Sequence, residues 1–336
     1  MKKILAVIPA RSGSKSVVNK NIRLIDGKPM MAYSIEHAKA SKYINRIIVS
    51  TDSEEYAEIA RQYGAETPFI RPAELSGDAS LDIELFEHAL SFLKDTEGYV
   101  PDVLVQLRPT YPIRNPQDID NMIQMLLEDE TTDAVRSIME NEVVPHKMWY
   151  LKEDGTLDSL MKDIPEAYNM GRQALPKTYY QNGSIDVFRS SNITELHSMT
   201  GKKIKGYLMQ EIYDVDTEAD FSRVAECTRI KAGNKRFVFD IDGVIALKRE
   251  DLDYGQAEPN WKMIRIVNRL YDMGNEIVLF TARGYVTKID WRLVTENQMR
   301  EWGVKHHELH MGKPDADYYV DDKFLDMEFL YREFGE

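Results

Sequence analysis

Short runs of β-branched and aliphatic residues alternate along the chain with longer stretches in which apolar positions recur every three or four residues. Ile4 to Ile8, Arg46 to Ser50, Val103 to Leu107 and Ala134 to Ile138 read as strands, whereas Met30 to Ala40, Ser53 to Tyr63, Leu81 to Leu93 and Pro116 to Leu127 carry helical spacing. That order builds parallel sheets flanked by helices, an α/β architecture. Asp52-Ser53 ahead of Glu54-Glu55 supplies an N-cap and an acidic first turn, and Pro116 opens the segment that follows it. A helical stretch near 219 to 232 ends at Gly233-Asn234, and a new apolar strand starts at Arg236-Phe-Val-Phe-Asp240. The domain boundary is expected there, giving domains 1–232 and 233–336. In the second, strands are expected at Phe237 to Ile241, Glu276 to Thr281 and Tyr318 to Val320, with helices at Trp261 to Met273 and Lys288 to Trp302.

Composition narrows the picture. At 336 residues the chain holds about two domains of ordinary size, and 43% hydrophobic with 29% charged residues excludes disorder and fibrous repeats. A formal net charge of −13 argues against general nucleic-acid binding. The single cysteine, Cys227, reads as a small packed residue. The apolar start Ile4 to Ala10 imitates a signal peptide but stops at Arg11 without a cleavage site, so it reads as a first strand. With no run of about 18 apolar residues, no membrane span is expected and the location is read as cytoplasmic.

Two segments carry chemistry in the first domain. Pro9-Ala10-Arg11-Ser12-Gly13-Ser14-Lys15 follows the first strand and is followed by Asn19-Lys20-Asn21; small residues let backbone N–H groups approach an anion, and Arg11, Lys15 and Lys20 neutralise it. Tyr213-Asp214-Val215-Asp216 closes the same domain, and alternation puts Asp214 and Asp216 on one side, suited to a Mg²⁺ ion. Each segment alone also reads as solvated surface. Together with Ile48-Val-Ser-Thr-Asp52, Arg71-Pro-Ala-Glu-Leu75, Arg108-Pro-Thr-Tyr-Pro-Ile-Arg114 and Asn182-Gly-Ser-Ile185, in this order, the chain over about residues 1 to 230 resembles the acylneuraminate cytidylyltransferases, or CMP-sialic acid synthetases. The resemblance implies a nucleotide-diphospho-sugar transferase-like fold and attack of a nine-carbon 2-keto sugar acid on the α-phosphate of CTP. It implies nucleotide contacts from Arg11, Gly13, Ser14, Lys15, Lys20, Asn21, Arg71, Ser80 and Arg108, of which Arg11 and Lys15 would serve catalysis. Lys147, Arg172, Gln181 and Asn182 would then meet the sugar, and Asp214 and Asp216 the metal. Two positions depart from the family: Arg108 stands where many relatives have Gln, and Gln181 where they have Arg, which changes the hydrogen-bond inventory near the substrate.

The second domain puts Asp240 and Asp242 at the carboxyl end of an apolar strand, one suited to nucleophile and the other to acid and base. Val278-Leu-Phe-Thr281-Ala-Arg-Gly284, Gly312-Lys313-Pro314 and Tyr319-Val-Asp321-Asp322-Lys323 follow, supplying a hydroxyl, a cation and further carboxylates. In this order the pieces are similar to the haloacid dehalogenase phosphatases over about residues 235 to 325. The resemblance implies a second Rossmann-like three-layer α/β/α domain without a large cap. In it Asp240 would form an aspartyl-phosphate, Asp242 would protonate the leaving alcohol, Thr281 and Lys313 would hold the phosphoryl group, and Asp240, Asp242, Asp321 and Asp322 would surround Mg²⁺. Residues Asp251 to Asn260 and a neighbouring chain are candidate lids. Tyr254, Trp261 and Trp291 read as core more readily than as substrate platforms, and His306, His307 and His310 as ordinary histidines.

The pairing suggests consecutive steps: loss of phosphate from a nine-carbon acid 9-phosphate, then cytidylyl transfer. Rival readings are a second domain that only drives oligomerisation, and a phosphorylated surface-polymer precursor as acceptor, for which Arg108 would be a phosphate contact. The resemblance implies a homodimer or homotetramer, with CTP, an acidic sugar and a sugar phosphate as small-molecule partners.

Overall fold

The structure, a computed structural model, describes residues 2–210, 212–248, 253–314, 316 and 323–335. The chain divides into two compact units, Met1–Val224 and Ala225–Glu336. In chain order the first holds β1 (Ile4–Pro9), a small hairpin of β2 (Leu24–Ile25) and β3 (Lys28–Pro29), α1 (Met30–Ala40), β4 (Arg46–Ser50), α2 (Glu54–Gln62), α3 (Asp82–Glu97), β5 (Val103–Leu107), α4 (Pro116–Leu127) and β6 (Ala134–Glu140). A second hairpin, β7 (Trp149–Leu151) and β8 (Leu157–Ser159), precedes β9 (Tyr179–Arg189), α5 (Ser190–Leu196), β10 (Ile204–Leu208) and α6 (Glu218–Lys231).

The main sheet runs β10-β6-β9-β5-β1-β4. β1 pairs in parallel with β4 and β5, whereas β9 is antiparallel to both β5 and β6. Alternation on these buried strands sends Ala6, Ile8, Val103 and Val105 to one face, against α1 and α4, and Leu5, Val7 and Leu104 to the other, against α3. That is a three-layer α/β/α arrangement. The caps agree with the expected starts: Ser53, not Asp52, accepts from Tyr56 N to open α2, and Asn115 accepts from Gln117 N before Pro116. No strand was expected at β9, where Asn182, Ser184 and Asp186 are buried polar residues rather than an apolar run.

The second unit contains β11 (Arg236–Phe239), α7 (Trp261–Asp272), β12 (Glu276–Thr281), α8 (Arg292–Glu301), β13 (Glu308–Met311) and α9 (Met327–Phe334), with a parallel sheet ordered β11-β12-β13. Phe239, Ile241, Val267, Leu270, Ile277, Leu279 and Phe334 form its core together with Ile230 from α6. The division thus falls inside α6, eight residues ahead of the Gly233 turn, because the last turns of that helix pack on the second core. Helix α8 starts at Arg292 rather than Lys288. The expected strand at Tyr318 to Val320 lies outside the described residues. No helix of the described residues is long and apolar enough to cross a membrane.

Candidate functional site

Beyond the carboxyl end of β1 the chain turns through Gly13, at φ +71°, and is fastened there by Asp52, which accepts from Ser12 N (2.7 Å) and Ser12 Oγ (2.9 Å). Asn21 Nδ2 donates to the Arg11 carbonyl (3.0 Å) and closes the loop. The loop borders a cleft of about 480 Å³ lined by Arg11, Ser14, Lys15, Lys20, Asn21, Arg71, Ser80, Arg108 and Asp216. Most of the nucleotide set expected from the sequence therefore converges on one space; Gly13 shapes the turn beneath it. Arg11 and Lys15 both reach Asp78 (2.9 and 2.5 Å), and Lys20 Nζ donates to Val215 O (2.7 Å) with Asp216 at 3.4 Å.

Arg71 carries the sharpest signal. It is 6% exposed, and its Nε and Nη2 have no hydrogen-bond partner in this structure. Buried donors of this kind cost free energy until an acceptor arrives, and Arg71 borders the cleft, so a ligand that brings an oxygen or ring nitrogen to it is favoured. Burial also pulls its pKa down from the ordinary arginine value.

Tyr213 and Val215 are buried, and Val215 N donates to Thr110 O (3.0 Å), so Asp214 and Asp216 face the other side, as alternation requires. The Tyr111 hydroxyl is shared between Asp214 Oδ2 (2.9 Å) and the Asn182 carbonyl. Burial pushes the Asp214 carboxyl up, with Asp216 adding to the effect and the Tyr111 hydrogen bond opposing it. A hard divalent cation would relieve both causes, and two carboxylates leave coordination positions for phosphate oxygens; this donor set fits Mg²⁺. Among the described residues no cluster of three or more acidic, His or Cys side chains forms a closed metal cage.

Arg108, one of the two departures from the family, is held on several sides. Its Nη2 meets Asp82 (2.7 Å), while Nη1 donates to Gly183 O (2.7 Å) and to Asp186 (3.2 Å). Asp186 is fully buried and also receives Arg136 Nη1 (2.7 Å) and Gln181 Nε2 (3.2 Å). The two departures thus meet on one carboxylate. Arg108 lines the cleft while paired with Asp82 and with the Asp186 carboxylate that Arg136 shares. Behind it Arg114, buried and with its pKa lowered to about 9 by that burial, donates to the Arg108 carbonyl (2.6 Å) and Ser184 Oγ (3.0 Å), fixing the turn against β9.

Not every expected contact joins the cleft. Lys147 Nζ donates to Tyr168 O (3.2 Å) and Arg172 to Glu142 O; neither is in the cleft lining, nor are Gln181, Asn182 and, of the two expected metal ligands, Asp214. Asp52, Asp78, Tyr111 and Asp186 were not assigned roles from the sequence. Tyr111 stood inside a quoted motif, but its hydroxyl partners come from residues 71 and 103 positions away.

The second unit gathers its residues at the carboxyl ends of its parallel strands. Asp240 follows β11, Thr281 ends β12 and Lys313 lies just past β13. Lys313 Nζ meets Asp240 Oδ2 (2.5 Å), Ile241 N donates to Asp240 Oδ1 (2.8 Å), and Thr281 Oγ1 lies 3.5 Å from Asp242 Oδ2. Four expected residues are thereby brought together. Asp321 and Asp322 lie outside the described residues, as does part of the lid segment. Arg283, unassigned in the sequence, donates from Nε and Nη2 to the two oxygens of Asp242 (2.8 Å each). His307 Nδ1 accepts from Ile277 N (3.0 Å) and its ring stacks on Tyr271, an ordinary packing role.

A family model described as cytidylyltransferase matches residues 5–228. The chain is 33% identical over 226 residues to the post-translational flagellin modification protein B of Campylobacter coli, covering 67% of this chain and 94% of that protein. It is 33% identical to the CMP-N,N'-diacetyllegionaminic acid synthase of Legionella pneumophila, covering 66% of this chain and 94% of that one. Identity to the N-acylneuraminate cytidylyltransferase of Escherichia coli is 32% over 254 residues, 75% of this chain but only 58% of that longer protein. Among solved structures, a CMP:2-keto-3-deoxy-manno-octonic acid synthetase complexed with CTP superposes with a TM-score of 0.51 at 16% identity, covering 68% of this chain and 99% of that one. That likeness concerns the fold, and it gives the first unit the nucleotide-diphospho-sugar transferase-like architecture. With a family match over two thirds of its length, the chain belongs to the cytidylyltransferase family.

Proposed function

We propose that the first unit transfers CMP from CTP to the anomeric hydroxyl of a nonulosonic acid, releasing pyrophosphate, and that the second hydrolyses a phosphate ester of such an acid, the 9-phosphate that would precede it. The observation that carries the first half is the cleft shared by the Arg11, Lys15 and Lys20 cations and Arg71, whose buried Nε and Nη2 lack partners. Nucleotidyl transfer needs no protein nucleophile: the acceptor hydroxyl attacks the α-phosphorus and the bond to pyrophosphate breaks with its electron pair. Arg11 and Lys15 would leave Asp78 for the phosphate oxygens, and Lys20 would stay beside Asp216. A Mg²⁺ on Asp214 and Asp216 would supply charge neutralisation when bound. The acid sugar as acceptor rests on the names of the relatives; the exchange at Arg108 and Gln181 leaves its identity to experiment.

The phosphatase half is supported by the Asp240–Lys313 contact and by Thr281 beside Asp242, a nucleophile with its charge neutraliser and a hydroxyl at one sheet end. These residues also speak against a second unit that serves only assembly. Asp240, whose Oδ2 meets Lys313, offers a hard oxygen donor of the kind that Mg²⁺ takes, whereas the Asp242 oxygens are engaged by Arg283.

The deciding experiment incubates the chain with CTP, Mg²⁺ and a panel of nonulosonic acids and their 9-phosphates, measuring pyrophosphate and orthophosphate separately. Pyrophosphate from at least one free acid and orthophosphate from a 9-phosphate are expected, with Asp240→Asn losing only the second. CTP turnover with no member of the panel rejects the first assignment; orthophosphate from none of the esters leaves the second unit as an assembly module.

A further inference from the structure

Arg283 is 2% exposed, yet its guanidinium is engaged at all three nitrogens. Nε and Nη2 grip both oxygens of Asp242 at 2.8 Å, and Nη1 donates to Gln298 Oε1 (2.6 Å) and Thr295 Oγ1 (3.2 Å) on α8. The Tyr254 ring covers its face, with the guanidinium carbon 4.9 Å from the ring centroid, and Trp291 meets that ring edge-on at 5.3 Å. Gln298 Nε2 in turn donates to Tyr254 O (2.6 Å). Arg283 N donates to Thr281 Oγ1 (3.1 Å), so the same residue sets the hydroxyl at the end of β12. Below, Gly243 N donates to Ala246 O (2.9 Å) and holds the backbone that carries Asp242.

We propose that Arg283 is a positioning residue of the second site: its fork fixes the plane of the Asp242 carboxyl so that the proton on its outward side addresses the leaving-group oxygen. The inference rests on the phosphatase reading above and deepens it. A side-on pair of hydrogen bonds removes rotation about the last side-chain bond of Asp242, a constraint that a single point charge cannot impose. The step it serves is balanced. An Asp240 carboxylate oxygen bonds to phosphorus, the bond from phosphorus to the alkoxide oxygen breaks with its electron pair, and the Asp242 carboxylic acid gives its proton to that oxygen. Water then attacks the aspartyl-phosphate, its proton goes to the Asp242 carboxylate, and orthophosphate leaves with Asp240 regenerated.

Proton delivery matters in proportion to the basicity of the leaving group, and this separates positioning from mere support of the fold. Full-length Arg283→Lys, which keeps the charge and loses the fork, is compared with the unaltered chain on an alkyl phosphate and on p-nitrophenyl phosphate. We expect kcat/KM to fall about 100-fold on the alkyl ester and less than about 5-fold on the aryl ester, whose phenolate leaves without help. Orthovanadate affinity, read from tryptophan fluorescence, should be unchanged, because the Arg283 guanidinium is already occupied by Asp242, Thr295 and Gln298. Gln298→Leu, which frees Nη1 but leaves the grip on Asp242 possible, should show the same selectivity at about a tenth of the effect; it decides the matter where Arg283→Lys does not fold, with CTP turnover as the internal control. Equal losses on the two esters, or none, overturn the proposal alone. Failure of the unaltered chain to hydrolyse either ester removes the phosphatase reading and this inference with it.

Discussion

Changing Asp186 to Asn swaps one oxygen for an NH₂ group at the point where two arginines converge. Arg136 Nη1 at 2.7 Å and Arg108 Nη1 at 3.2 Å both use Asp186 Oδ2, and the carboxylate has no access to solvent. Arg136 is itself nearly buried, with Nε already lacking a partner, so it cannot turn to water once its counter-charge is gone. Removing one partner of a buried pair costs roughly 3–5 kcal/mol, mostly the penalty of the charge left behind. For a unit of this size one kcal/mol moves the transition by roughly 2–4 °C, so a drop on the order of 10 °C is expected. Scanning calorimetry on the whole chain measures it, the transition of the first unit being the one that CTP raises. Asp186→Leu combined with Arg136→Met should recover most of the loss, since Arg108 is partly exposed and can reach solvent. A shift below about 2 °C for Asp186→Asn, or a double variant as unstable as the single one, would refute the claim that this carboxylate anchors the arginines.

Three further outcomes follow from the geometry. His37 is held neutral by burial beside Arg114, with its pKa lowered to about 3, whereas the unfolded chain takes up that proton near 6.5. The unfolded state therefore binds more protons between those values, stability falls as pH drops from above 6.5 toward 3, and denaturant titrations of His37→Gln between pH 7 and 4 should show a shallower decline; an unchanged slope contradicts this. Asp78→Asn should lower the KM for CTP by about two- to fivefold, and less at high salt, because Arg11 and Lys15 no longer have to leave a carboxylate; a raised KM would mean that Asp78 helps to hold the nucleotide. Tyr111→Phe leaves Asp214 and the Asn182 carbonyl without their shared donor, which should cost about 1–3 kcal/mol of stability and at least tenfold in CTP turnover; turnover within twofold of the unaltered chain excludes the hydroxyl as the organiser of Asp214.

Much of this was legible from local pattern. The apolar runs at β1 and β5 are buried on both faces and stand out as such, and α1 and α4 have the bounds that their periodicity gives, α4 opening on its Asn115 cap. The positions of the loop after β1 and of Asp240 after β11 could be read because short spacings fix them relative to a strand end. β9 could not, since its interior polar residues look like surface until their partners on β6 and in the Arg108 turn are known. The carbonyl partners of Lys147 and Arg172 were hidden for the complementary reason: an exposed cation in a loop finds the nearest carbonyl, and no spacing reveals which. Arg283 was invisible as well, because its meaning lies in Asp242, 41 positions earlier.

Helix α6 has a consequence for anyone dissecting the polypeptide. Its first turns belong to one body: Glu218 meets Arg23, and Phe221 lies under the same guanidinium. Its last turns belong to the other, where Ile230 fills the core, Asn275 Nδ2 donates to the Ile230 carbonyl and Cys227 faces Glu333. Cleavage at the tempting glycine after residue 232 would strip the downstream fragment of a core wall and leave an apolar stripe dangling from the upstream one. Separately expressed halves should therefore overlap, each retaining its own copy of 218–231.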